Sequence, residues 1–483
     1  MTVYVCQLPI RILKTGLAMF AAMLISFDSE LRSQEFIDTL YSTVTQANIA
    51  YGNAIDFAGQ TRQLRMDISR PAVAPLPACG RPLVVIIHGG AWVAGSKDDA
   101  GIVALREEFA KRGYVAAALN YRLGFFLSSE NLNCNVPNWN CMLAADTSEW
   151  IRAWYRGVQD ARGAIRHLVS NAQDYQIDPQ QIFVLGESAG GFIALGLAYL
   201  DVENEKPDAC AQLPAVQVPN QAYYQPCIQN ASWSIEIADM NFARPNLGGI
   251  EGNLNLNAPL YRIKAIANMF GGMMLNLFQN SDGDVPDLYS FHQPNDLIVP
   301  IGNARLLKGL SDCAAGTGCV SIPNRPLSMG TQAITDYLNS GVLDPQSIPE
   351  TQIEITSNSA DCLVQVLNPS LGGHQYDAPN LRSLQAATFF AQRISGDSCN
   401  ILNHISTKSC NPFTMSIEGK SILIHTTDSK SFAYQLFSID GRLVDFGKTG
   451  AGQKHRIDMK AEPGLYVLRL NDGEYTCSFT LPE

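Results

Sequence analysis

The sequence predicts an α/β protein, a mostly parallel sheet with helices on both faces, followed by a small all-β module. Three observations carry this. Short β-branched runs such as Leu83-Val84-Val85-Ile86-Ile87 read as strands buried on both faces. Stretches of helical spacing, Ile102–Arg112 and about Ser148–Asn171, alternate with them. Beyond about Cys410 the helical spacing ceases, and short alternating runs separated by turns take over. A length of 483 residues suits one large domain plus a small one. With 46% hydrophobic and 16% charged residues, the chain can bury a sizeable core. A net charge of −11 with no long basic run argues against a nucleic-acid partner.

Taken in order, the chain opens on Arg11 and Lys14, then the apolar run Gly16–Phe27, then Leu31-Arg32-Ser33 ahead of Gln34. That is the pattern of a secretory signal peptide over residues 1–33, too short to span a membrane, and no later apolar run reaches spanning length. Residues 34–409 are expected to form the large domain. Glu35–Ala58 is expected to be helical and then loose, Thr61–Ile68 a strand, and Pro71–Pro82 a loop. The strand Leu83–Ile87 runs directly into His88-Gly89-Gly90-Ala91-Trp92. The helix Ile102–Arg112 stops at Gly113, as a C-cap glycine would make it, before the buried strand Tyr114–Leu119.

A further apolar strand, Ile182–Leu185, leads into Gly186-Glu187-Ser188-Ala189-Gly190 and then an apolar helix. Asp201–Leu260, rich in Asn, Pro and Gln, breaks the rhythm and is either a lid or pocket wall or a passive surface insertion. Ile263–Phe270, Leu288–Phe291 and Gln352–Thr356 complete the core strands, and Leu384–Ile394 is the final helix. In residues 410–483 the runs Ser421–Thr426, Ala433–Ile439, Leu443–Gly447, His455–Met459, Leu465–Leu470 and Tyr475–Phe479 predict a β-sandwich.

Twelve cysteines, eleven once Cys6 is removed, suit an oxidising compartment. Close pairs are expected to form local disulfides: Cys134 with Cys141, Cys210 with Cys227, Cys313 with Cys319 and Cys399 with Cys410. Spacing alone does not fix that connectivity. There is no C-x-x-C and no histidine set at ligand spacing, so no zinc site is expected. Nor is there a phosphate loop or nucleotide fingerprint, so no cofactor is expected.

Gly186–Gly190 fits G-x-S-x-G, a turn that lifts a serine to the top of a sheet at a helix N-terminus. A Cβ at Gly186 or Gly190 would crowd the neighbouring strand and helix. A serine hydroxyl needs a base, a carboxylate to orient that base, and donors for the oxyanion. Gly89 and Gly90, directly after a buried strand, and the N–H of Ala189, just after the serine, are the candidate donors. Asp296 follows a strand and is the candidate carboxylate; Asp282, Asp284 and Asp287 precede that strand and read as turn residues. His374, in a glycine loop between the last core strand and the final helix, is the candidate base. His88, His167, His292, His404, His425 and His455 are each less suited by position. Activity is expected to fall as His374 becomes protonated, because the imidazolium cannot accept the serine proton.

The resulting order, Ser188, Asp296, His374, is that of the α/β-hydrolase fold. The phrases HGGAW, VQDARGAIRHLVSNAQDYQIDPQQIFVLGESAGG and FHQPNDLIVP resemble secreted carboxylesterases of the α/β-hydrolase superfamily, over roughly Asp56 to Ser395. The resemblance implies that Ser188 attacks an ester carbonyl, His374 acts as base and then acid, and Asp296 holds the imidazolium. Gly89, Gly90 and Ala189 would cradle the oxyanion. The expected substrate is a small-molecule or polymer-linked ester, with short-chain or plant-derived acyl groups. The Asp201–Leu260 and Cys313–Cys319 segments depart from the compact family pattern. Two rivals share much of the pattern: a serine peptidase of the prolyl-oligopeptidase type and a non-catalytic carboxylesterase-like binding protein. The phrases YQLFSIDGRLV and EPGLYVLRLNDGEYTCSF resemble the C-terminal sorting domain of the type IX secretion system of Bacteroidetes. This implies the type IX machinery as a partner, and an extracellular or cell-surface location.

Overall fold

The strand Arg81–Ile87 (β3) explains the architecture, because its side chains divide between two cores. Leu83, Val85 and Ile87 join one that includes Trp154, Val158 and Phe192, while Val84 and Ile86 join another that includes Ile102, Phe109 and Phe390. All seven residues of β3 are buried. A fully buried Val, Leu or Ile contributes roughly 1.5–3 kcal/mol, so a run of five specifies a central strand covered on both faces.

A computed structural model describes residues 36–73, 77, 79–126, 146–217, 241–278, 285–313, 325–367 and 372–394, and the strands of residues 409–481. The chain divides into two units, Met1–Ser395 and Gly396–Glu483.

In the first unit the strands are β1 (Thr43–Ile55), β2 (Thr61–Pro71), β3, β4 (Val115–Leu119), β5 (Ile177–Glu187), β6 (Leu213–Gln217), β7 (Asn241–Arg244), β8 (Ile263–Met269), β9 (Asp287–His292), β10 (Asn303–Arg305), β11 (Leu327–Met329) and β12 (Thr351–Ile355). Eight of them form one sheet in the order β1-β2-β4-β3-β5-β8-β9-β12. The pairs β1–β2 and β2–β4 are antiparallel, and every other pair is parallel. The α-helices of six or more residues are α1 (Ala100–Lys111), α2 (Thr147–Ser170), α3 (Ala189–Tyr199), α4 (Lys308–Cys313), α5 (Thr331–Leu338), α6 (Cys362–Leu367) and α7 (Pro379–Ala391). This large, mostly parallel sheet with helices fits the α/β-hydrolase fold. Among the described residues no helix is long and apolar enough to cross a membrane.

Several expectations are corrected. The segment expected to be helical before Ala58 is the edge strand β1, whose pairing with β2 shifts register twice, between Gln46 and Ile49 and between Ala50 and Gly52. Those bulges interrupt the period of two that marks a strand. Cys313 is joined to Cys362, not to Cys319, so the bridge links α4 to α6. Cys210 carries a free, buried thiol rather than a bond to Cys227; burial pushes its pKa up to about 12. The Cys134–Cys141 pair, Cys399, His404, Asp282, Asp284 and the expected signal peptide lie outside the described residues.

The described parts of Asp201–Leu260 cover α2. The antiparallel pair β6–β7 belongs to this segment. Arg152 donates to the carbonyls of Ala209, Ala211 and Pro245, and Gln159 to those of Leu247 and Gly249. Arg166 donates to the carbonyls of Glu251 and Leu254. Arg162 and Arg166 also pair with the Glu251 carboxylate. Residues 218–240 of this segment lie outside the described residues.

The second unit contains β13 (Ser409–Cys410), β14 (Phe413–Glu418), β15 (Ser421–Thr426), β16 (Phe432–Ser438), β17 (Leu443–Thr449), β18 (Lys454–Asp458), β19 (Gly464–Leu470) and β20 (Tyr475–Leu481). They form two antiparallel four-stranded sheets, β13-β14-β15-β18 and β17-β16-β19-β20. β14 alternates as Phe-Thr-Met-Ser-Ile-Glu and was not among the expected strands.

Candidate active site

The site is built at the C-terminal ends of β3, β5, β8 and β9. At the end of β5 the chain reverses into α3 through Ser188, which adopts φ 53° and ψ −121°. Such a backbone is costly for a non-glycine residue and persists only where its surroundings hold it. The Ser188 N–H donates to the Met269 carbonyl at the end of β8, 2.8 Å away. A Cβ on Gly186 would overlap the Gly190 carbonyl, and one on Gly190 would overlap the carbonyls of Ile87 and His88. The glycines are thus required by backbone packed on backbone.

The Ser188 Oγ lies 2.7 Å from His374 Nε2, and His374 Nδ1 lies 2.7 Å from Asp296 Oδ2. The three residues come from three separate elements, and the fold brings them into one line. Asp296 is buried, and its Oδ1 accepts the N–H groups of Ile298 (2.8 Å) and Val299 (3.0 Å). Burial alone would raise the Asp296 pKa. The His374 charge and hydrogen bonds from His292 and His374 outweigh it and hold the carboxyl below its ordinary range.

Two further side chains tie the histidine loop to the aspartate loop. Gln365 accepts the Gly373 N–H (3.2 Å) and donates to the Asn295 carbonyl (3.0 Å). Asn358 accepts the Asn295 N–H at 3.0 Å. The Phe270 ring, on a residue with φ 42°, packs edge-on to His374 at 5.0 Å.

The turn after β3 is supported from below. The His88 ring stacks on Tyr121 at 4.4 Å, and the Tyr121 hydroxyl donates to the His88 carbonyl at 3.1 Å. Gly90, Ala91 and Trp92 follow one another at φ 100°, 51° and 60°. Trp92 is pinned edge-on between Phe192 and Trp150. Ala189, the first residue of α3, has an N–H with no acceptor in its own helix. The Gly89 N–H is one of the groups that act on the Glu187 carboxylate. Burial pushes the Glu187 carboxyl up, against the pull of Tyr376, His374 and that N–H.

The remaining histidines stand elsewhere. His167 sits on α2 beside Tyr175, and burial lowers its pKa. His425 and His455 lie in β15 and β18 of the second unit. Asp287 opens β9 and pairs with Arg393 at 2.6 Å. His292 is nearer: its Nε2 is 3.2 Å from Asp296 Oδ2. Sequence position had set it aside, yet a histidine ending an apolar strand four residues before Asp296 was the available signal. No cluster able to hold a metal ion occurs among the described residues.

Burial pushes the His88 pKa down to about 4 from an ordinary 6.5. Between those values the unfolded chain binds a proton that the folded chain refuses. Stability is therefore full above pH 6.5 and falls as the pH drops toward 4, by roughly 3 kcal/mol at 1.36 kcal/mol per unit. Denaturant midpoints across this range check it: His88→Gln is expected to flatten that part of the slope.

Residues 66–128 and 151–307 match the BD-FAE family model. The chain is 30% identical over 119 residues to the carboxylesterase patB of Penicillium expansum, covering 23% of this chain and 18% of that enzyme. It is 22% identical over 262 residues to the probable carboxylic ester hydrolase LipM of Mycobacterium tuberculosis, covering 53% of this chain and 50% of that protein. This chain thus spans half or less of the length of these curated relatives. A solved structure, a truncated carbohydrate esterase from gut microbiota, shares 14% identity at a TM-score of 0.39, covering 74% of this chain and 98% of that one.

Proposed function

We propose that the chain is a serine hydrolase of carboxylic esters working through an acyl-enzyme. The observation that carries this reading is the 2.7 Å contact on each side of the His374 ring, to Ser188 Oγ and to Asp296 Oδ2. His374 Nε2 takes the hydroxyl proton as Ser188 Oγ bonds to the ester carbonyl carbon. Asp296 accepts the Nδ1–H and stabilises the imidazolium that forms. The N–H groups of Gly89, Gly90 and Ala189 receive the oxyanion. His374 then protonates the departing alkoxide. Water, deprotonated by the same nitrogen, releases the acid and restores Ser188.

The match to the BD-FAE model and to two ester hydrolases supports the choice of ester over peptide. The substrates proposed are short-chain or plant-derived acyl esters, free or polymer-linked. Residues 1–33 are proposed as a signal peptide and residues 410–483 as a sandwich-type sorting module for type IX export to the medium or cell surface. The test sets p-nitrophenyl acetate beside a proline-amide substrate and labels the protein with a fluorophosphonate. Ester turnover with one label per chain on Ser188 is expected. Amide cleavage without ester cleavage would make it a peptidase, and absence of label on folded protein would make it a binding protein.

A further inference from the structure

Behind Asp296 a second histidine sits in a buried polar chain that reaches back beneath the nucleophile. Gly271, which packs against the Ser188 carbonyl, donates its N–H to Asn268 Oδ1 at 3.1 Å. Asn268 Nδ2 donates to Ser290 Oγ at 3.0 Å, and Ser290 Oγ lies 2.7 Å from Thr331 Oγ1. Thr331 Oγ1 lies 3.1 Å from His292 Nδ1, and His292 Nε2 lies 3.2 Å from Asp296 Oδ2 and 3.0 Å from the Val299 carbonyl. Asn268, Ser290, His292 and Thr331 are all buried. Ser290 and His292 are two apart on β9, so they point to the same face.

The chemistry of the partners orders the chain. Nε2 faces a carboxylate and a carbonyl, which only accept, so Nε2 carries the proton. In the neutral ring Nδ1 then accepts from the Thr331 hydroxyl, which accepts from Ser290, which accepts from Asn268. Along this path each hydrogen bond runs toward Asp296. The carboxylate's Oδ1 is already fixed by Ile298 and Val299, so what His292 adds falls on Oδ2, the oxygen that also serves His374.

We propose that His292 is a positioning residue: its Nε2–H shares Asp296 Oδ2 with His374 and so limits how much of the carboxylate's charge reaches that imidazole. The inference rests on Ser188, His374 and Asp296 acting as proposed above. Removing the shared donor concentrates charge on Oδ2, strengthens the imidazolium, and makes His374 hold its proton to higher pH. Glu187, next to Ser188, is an ionisable group that acts on His374, and Tyr376 lies against Glu187. Neither touches His292, so a change at His292 reaches His374 through Asp296.

The experiment compares His292→Leu with His292→Gln, whose amide retains a donor, measuring kcat and KM for p-nitrophenyl acetate against pH. For His292→Leu the acid limb of kcat/KM is expected to rise by roughly 0.5–1 pH unit. Its plateau kcat is expected to fall ~10-fold with KM little changed. His292→Gln is expected to restore most of both. A folded His292→Leu with the acid limb of the parent overturns the proposal, as does a His292→Gln limb displaced as far as that of His292→Leu. If His292→Leu does not fold, Thr331→Val, which loosens the ring without removing it, is expected to move the limb the same way, and an unmoved limb overturns the proposal. Ser188→Ala is run alongside. Its inactivity with an unmoved His292→Leu limb sinks only the role of His292, whereas surviving turnover in Ser188→Ala sinks both readings.

Discussion

Ser188→Ala is expected to lower kcat for ester hydrolysis on the order of 10⁴-fold or more, with the denaturation midpoint unchanged. The size of the loss follows from the absence of a substitute. Without Oγ no covalent intermediate forms, and His374 is left 2.7 Å from an atom that no longer exists. Folding is spared because alanine keeps the Cβ and meets the same backbone requirement at φ 53° as serine. The residual rate measures what the oxyanion donors and substrate binding achieve by themselves. Burst kinetics on p-nitrophenyl acetate, present in the parent and absent in the variant, separate loss of the nucleophile from loss of binding.

Gly190→Ala is expected to have the largest effect on stability. The added methyl would overlap the carbonyls of Ile87 and His88, which are backbone atoms of the central strand and the donor turn. A flexible side chain could swing away, but these carbonyls can yield only if β3 and α3 part. The expected cost is about 3 kcal/mol or more, with esterase activity lost alongside it. Gly191→Ala differs in kind, since its methyl meets first the buried, hydrogen-bonded Asn268 side chain and only then the Gly271 backbone. Urea denaturation of both variants checks the difference, and a Gly190→Ala midpoint equal to that of the parent would contradict the packing described.

Where the sequence was informative, it was because one physical requirement left one kind of residue. The five-residue run of β3 had to be buried on both faces, and the glycines around Ser188 had to be glycines. Asp296 and His374 were picked out from their places after particular strands, and the fold brings both into hydrogen-bonding line with Ser188. β1 was misread because two register shifts break its alternation. The Cys313–Cys362 bridge joins helices 49 residues apart, a proximity that spacing does not encode. Ala91 and Trp92 carry no mark of their left-handed backbone. The chain from Asn268 to His292 was hidden for a different reason. Its members are scattered polar residues, Asn268 on β8, Ser290 and His292 on β9 and Thr331 at the start of α5, and the pattern exists only once these elements are side by side.

The way Asp201–Leu260 is fastened to α2 bears on how this protein can change over time. Apart from Glu251, the acceptors that receive Arg152, Gln159 and Arg166 are main-chain carbonyls. A carbonyl is present whatever residue stands there, so exposed side chains of the segment can be exchanged without loosening this grip, while the helix residues that form it cannot. A lysine in place of Arg152 would lose the fork that reaches three carbonyls at once. Diversity is thereby admitted on one partner and refused on the other. A library randomising the segment's exposed positions would test new ester preferences without first having to solve how the segment stays attached.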